Sequence, residues 1–122
     1  MRQLKFLVLT GLLSVATGFM ASASSQIPTI PYKIVWHGPK NTALVGAYSV
    51  FEQDGLTVSK AFKDQFPKEI ELSVSPTATV TASGSSPVDT HIRVRIYQNG
   101  KVCNEAVTYG KGSYATVFCS PQ

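Results

Sequence analysis

Residues 91–103 read HIRVRIYQNGKVC. Polar and apolar side chains alternate from His91 to Tyr97, the period of a half-buried strand. Asn99-Gly100 follows, two residues that tolerate positive φ and favour a two-residue type I′ hairpin. That turn sets Gln98 opposite Lys101, Tyr97 opposite Val102 and Ile96 opposite Cys103. Cys103 then shares a face with Ile92, Val94 and Ile96. A second turn lies in YGKGSY, residues 109–114. With Gly110-Lys111-Gly112 in its loop, Tyr109 opposes Ser113 and Thr108 opposes Tyr114. Counting back along both strands, Cys103 faces Cys119. The expectation is a three-stranded meander with a cross-strand disulfide, since opposed Cα atoms lie about 4.5–5.5 Å apart. Closing so short a loop contributes on the order of 3 kcal/mol. The alternative is two reduced cysteines buried in the core.

The N-terminus bears on that choice. Arg2 and Lys5 precede an apolar run over residues 6–20, and Ala21-Ser22-Ala23 closes it. A positive start, an apolar stretch and an A-x-A site form a secretory signal peptide. The run is shorter than the roughly 18–20 residues that span a bilayer; an uncleaved anchor is the competing reading. Export favours pairing an even number of cysteines. Residues 1–23 are therefore read as signal, 24–31 as a flexible lead and 32–122 as one domain. Losing Arg2 and Lys5 takes the 11 basic residues to 9 against 7 acidic ones, so the net charge falls from +4 to +2. The basic balance of the whole chain thus overstates any attraction to nucleic acid, and no basic run with interleaved aromatics is present.

The remaining strands are short. Tyr32 to Trp36 places Tyr32, Ile34 and Trp36 on one face, and HGPKN ends it. Thr42–Phe51 and Leu56–Phe62 flank a turn at Glu52-Gln53-Asp54-Gly55. KDQFPKE reads as a loop, because Pro67 pushes Phe66 out of helix. Ile70–Val74 alternates, Thr77–Ala82 follows, and SGSSPVD reads as a flexible loop. Short strands with Gly, Pro and Asp turns imply an all-β, Ig-like antiparallel sandwich of about seven to eight strands. Trp36, Leu44, Leu72, Val80, Val94 and the cystine are its expected core.

No catalytic signature is found. G-x-S-x-G, a P-loop, a dinucleotide fingerprint and zinc spacing are all missing, so neither an enzyme nor a cofactor is expected. Asp64, Glu69 and Glu71 are carboxylates without an evident cleft between them. His37, Asp89 and His91 are the candidate metal ligands, of which Asp89 and His91 share a strand face. The outward face of the last hairpins is the candidate binding surface. By the register above it carries Arg93, Arg95 and Tyr97, then Val102, Asn104 and Ala106, then Tyr114, Thr116 and Phe118. Arginines and aromatics are enriched where proteins dock.

The succession YKIVWHG, TATVTAS, IRVRIYQNGKVC and GSYATVFC, over roughly Tyr32 to Cys119, resembles the periplasmic domain of the MmpS family. Members are small partners of MmpL-type lipid and siderophore exporters. The resemblance implies an Ig-like sandwich, no enzymatic activity and a protein partner in the cell envelope. The family keeps an N-terminal membrane helix, whereas this chain starts with a cleavable signal. Two other readings stand beside it, a secreted effector or inhibitor acting on an extracellular target and a small metal-binding protein. All three place the chain in the periplasm or outside the cell, with membrane contact only through a partner or an uncleaved signal. N-terminal sequencing of the exported protein is expected to start at Ser24; a chain that keeps Arg2 and Lys5 would be anchored instead.

Overall fold

The computed structural model describes residues 28–121. The residues read as a signal, 1–23, and the first half of the lead, 24–27, lie outside the described residues. Among the described residues eight strands form: β1 (Ile30–His37), β2 (Ala43–Phe51), β3 (Thr57–Gln65), β4 (Lys68–Val74), β5 (Thr79–Ser85), β6 (His91–Gln98), β7 (Lys101–Tyr109) and β8 (Ala115–Cys119). They make two four-stranded antiparallel sheets, in the orders β4-β1-β6-β7 and β3-β2-β5-β8. The all-β sandwich implied by the alternation is the fold observed.

Alternation decides what each strand buries. Tyr32, Ile34 and Trp36 of β1 point inward, as do Ile92, Val94 and Ile96 of β6. Leu44 and Val50 of β2, Val80 and Ala82 of β5, and Ala115, Val117 and Cys119 of β8 meet them from the second sheet. Leu72 is only partly buried against this core. Trp36 lies at the centre, with its Nε1 donating to the Ser83 carbonyl at 2.9 Å. Its ring meets Phe62 edge-on, with centroids 5.0 Å apart. Gly84 makes room for the indole, since a Cβ there would lie 2.8 Å from Trp36 Cδ1.

The Asn99-Gly100 turn forms as its chemistry requires, with φ of 54° and 84°. Tyr97 pairs with Val102 and Gln98 with Lys101. Beyond that the expected register fails. Ile96 pairs with Asn104, so Cys103 is an extra residue in β7, a β-bulge. The meander fails as well. β8 does not pair with β7 but with β5, in the other sheet. Cys103 and Cys119 are nevertheless bonded, with Cα atoms 5.9 Å apart, and the bond links the two sheets rather than two strands of one sheet. Such a bond is stable in a non-reducing compartment.

Two segments read as loops are more ordered than expected. Ser83, Gly84 and Ser85 belong to β5, and Ser86 is buried. The Ser86 carbonyl accepts from Gly112 N at 2.9 Å, and Thr90 O accepts from Gly110 N at 2.9 Å, which fastens the β7–β8 crossover. Phe66 is buried against Gly38, and its backbone N–H donates to Thr42 O at 3.0 Å.

Gly84→Ala is expected to destabilise the protein by about 1–3 kcal/mol through overpacking at Trp36. Replacing both cysteines by serine is expected to cost about 3 kcal/mol. Urea denaturation followed by tryptophan fluorescence measures both.

Candidate functional site

The proposed binding face divides in two. Arg93, Arg95 and Tyr97 do share the outer face of the β4-β1-β6-β7 sheet. Thr116 and Phe118 belong to the outer side of the other sheet, Phe118 well exposed, and the exposed Tyr114 immediately precedes β8. Two sheets of a sandwich turn their outer faces in opposite directions, so no single partner surface joins these groups. Asn104 and Ala106 are also displaced. The bulge puts Asn104 opposite Ile96 and Ala106 opposite Val94, both inward-facing residues. Ala106 packs against the core. Asn104 Nδ2 donates to the Phe118 carbonyl at 2.9 Å, bridging the sheets beside the cystine.

The same bulge turns Glu105 outward, opposite Arg95. Arg95 Nε donates to Glu105 Oε1 at 2.6 Å, and Arg95 Nη1 donates to the Tyr97 hydroxyl at 3.1 Å. Arg93 lies 3.9 Å from the other carboxylate oxygen. Lys33 of the neighbouring strand β1 also lies over the Tyr97 ring, with Nζ 5.1 Å from the centroid. Long side chains here cover the backbone so well that Val35, on this outer face, is 5% exposed. The hydrogen bond from Arg95 holds Glu105 below the usual carboxylate range, with the positive charges of Arg95 and Arg93 adding to it.

Beside Tyr97 an open groove of about 690 Å³ runs across β1 to β4, lined by Pro31, Lys33, Glu71 and Leu72 among others. Sequence reasoning placed none of these residues in the binding surface. Lys33 lies between the inward Tyr32 and Ile34, out of phase with both, which marks it as outward. Only the pairing of Lys33 with both Glu71 and Tyr97 brings it into the same patch.

The candidate metal ligands do not assemble. Among the described residues, no three His, Cys, Asp or Glu side chains lie in a group that could hold a metal ion. His37 pairs with Arg93 at the end of β1, while His91 pairs with Tyr109. His37 Nε2 is buried without a hydrogen-bond partner. Burial, and then the neighbouring Arg95 and Arg93, push His37 below its ordinary pKa of 6.5. Asp64 belongs elsewhere, in an ion pair with Lys68 at 2.8 Å.

The chain matches no known protein-family model, and no curated protein matches it.

A His pKa lowered by folding means that the unfolded chain binds the extra proton more readily. The contribution of His37 to stability is therefore full above pH 6.5 and is lost as pH falls through its folded value. Proton NMR should show His37 titrating below 6.5, and thermal stability should decline across that same acidic window. A His37 titrating at or above 6.5 would contradict the packing described.

Proposed function

We propose that this protein is an exported, non-enzymatic binding domain that engages a protein partner through the outer face of the β4-β1-β6-β7 sheet. The observation that carries the reading is the fixed arrangement of Arg95. Its guanidinium is held by Glu105 and by the Tyr97 hydroxyl, both on the same outer face. A long cationic side chain normally loses rotamer freedom when it docks. Here two partners restrain it before any ligand arrives, and the adjoining groove offers a concave surface beside the Tyr97 ring. The signal-like N-terminus and the Cys103–Cys119 bond support a periplasmic or extracellular place of action.

The MmpS resemblance supplies the kind of partner, a transporter or other membrane assembly of the cell envelope. In that reading the domain is an accessory subunit. A diffusible effector or inhibitor would use the same face on an extracellular target.

Affinity capture of the tagged, exported protein from detergent-solubilised envelope separates these possibilities. The accessory role predicts a membrane assembly among the captured proteins. Arg95→Glu and Tyr97→Ala are each expected to reduce capture at least tenfold, with Tyr114→Ala on the opposite side without effect. Undiminished capture by both face variants would remove this face from consideration. Recovery of the protein from the medium, with nothing captured from the envelope, would favour the effector.

A further inference from the structure

Among the described residues the two sheets have four free edges, and the two sides of the sandwich differ. On one side β7 and β8 are stapled by the disulfide, and Asn104 occupies the Phe118 carbonyl. On the other side β3 and β4 both lack a neighbouring strand among the described residues. Between them a groove of about 420 Å³ is lined by Tyr48, Val50 and Val58 from one sheet and by Leu72 and Val74 from the other. The outer groove beside Tyr97 also reaches Leu72 and Ser73. Two grooves therefore flank the same stretch of β4, one on each side of its free edge.

The backbone direction of β4 follows from its neighbour. In an antiparallel strand a residue's N–H and C=O point to the same side, and successive residues alternate. Pro31 O accepts from Asn99 N at 2.8 Å, so Pro31, Lys33 and Val35 direct their backbone groups toward β6. Tyr32 and Ile34 then direct theirs toward β4, where they meet Leu72 and Ile70. The N–H and C=O groups of Glu69, Glu71 and Ser73 consequently point off the edge of the sheet. An unpaired edge of this kind is a template for another strand.

Side chains of an added strand would alternate between the two grooves. Those turned inward would meet Val50, Val58, Leu72 and Val74. Those turned outward would meet Glu69 and Glu71, both exposed and, among the described residues, without an ion-pair partner. Glu52 adds a third carboxylate to the lining of the inner groove. We propose that the free edge of β4 accepts an extended peptide segment in which apolar residues alternate with Lys or Arg. The apolar residues enter the groove between the sheets, and the cations face Glu69 and Glu71. This goes beyond the reading given above, because it names the chemistry of the bound segment and places it on an edge that Arg95 does not touch.

The test uses ¹⁵N-labelled, oxidised, exported protein and the synthetic peptide acetyl-Val-Lys-Val-Lys-Val-Lys-Val-amide. The same peptide with Glu for Lys is the control. Binding should slow amide exchange at Glu69, Glu71 and Ser73 at least tenfold, and the Lys peptide should bind at least tenfold tighter than the Glu peptide. Ser73→Pro removes one outward N–H and leaves the ladder to β1 intact, so it should weaken binding about fivefold or more. The double variant Glu69→Lys, Glu71→Lys, confined to exposed side chains, should reverse the preference toward the Glu peptide. Arg95→Glu should leave peptide affinity within about twofold, so that this proposal and the sheet-face reading can fail separately. Absence of binding, equal affinity for both peptides, or protection confined to β3, β7 or β8 would overturn it.

Discussion

The extra residue at Cys103 is the constraint on which the rest of this structure depends. Without it, strand alternation would carry the β6 pairing forward unchanged, and Glu105 would lie opposite Val94 in the core. An unpaired carboxylate there would face a desolvation cost of several kcal/mol. The bulge shifts the phase by one residue. Ala106 then takes the inward place, and Glu105 turns out to meet Arg95. Cys103 and Asn104 fall in succession on the inner side, where one bonds Cys119 and the other holds the Phe118 carbonyl. Core composition, inter-sheet staple and outer charge pattern thus share a single cause.

The two outer faces that result have different chemistry. On the β4-β1-β6-β7 sheet, Lys33, Arg93, Arg95, Glu69, Glu71 and Glu105 interleave with Val35 and Tyr97. On the β3-β2-β5-β8 sheet one cross-strand row runs Ser59, Ser49, Thr81 and Phe118, and its neighbours set Lys63 beside Val45 and Thr57 beside Phe51, so hydroxyl and apolar side chains dominate with few charges. Charged groups fixed by neighbours favour orientation and specificity in recognition, so the first face is the one proposed to meet a partner. The stapled β7–β8 side and the open β3–β4 side add a second asymmetry, at right angles to the first.

Much of the fold was legible in the residues. The alternation in Tyr32–Trp36 and Ile92–Ile96 named the core correctly, because a period of two admits one buried face. Asn99-Gly100 announced its turn through positive φ alone. The disulfide partners were legible too, but for an incomplete reason. Register counted outward from a turn holds only until the first bulge, and Cys103 is four residues from Asn99. Ala115, Val117 and Cys119 alternate inward equally well in either sheet, so local pattern could not say that β8 joins β5. That choice depends on non-local burial around Trp36 and Gly84. The candidate face inherited the error, and for that reason Asn104, Ala106, Tyr114 and Phe118 were grouped with Arg95 when they lie on the inner side, at an edge or behind.

The most direct measurement of this account is a nuclear Overhauser map of the backbone of β6, β7 and β8 in the oxidised protein. The structure predicts cross-strand contacts for Ile96 with Asn104 and for Val94 with Ala106, together with a ladder joining Thr81 to Phe118. Contacts of Ile96 with Cys103, continued by a ladder between β7 and β8, would mean an unbulged meander. Glu105 would then face the core, and the charge pattern assigned to the binding face would not exist.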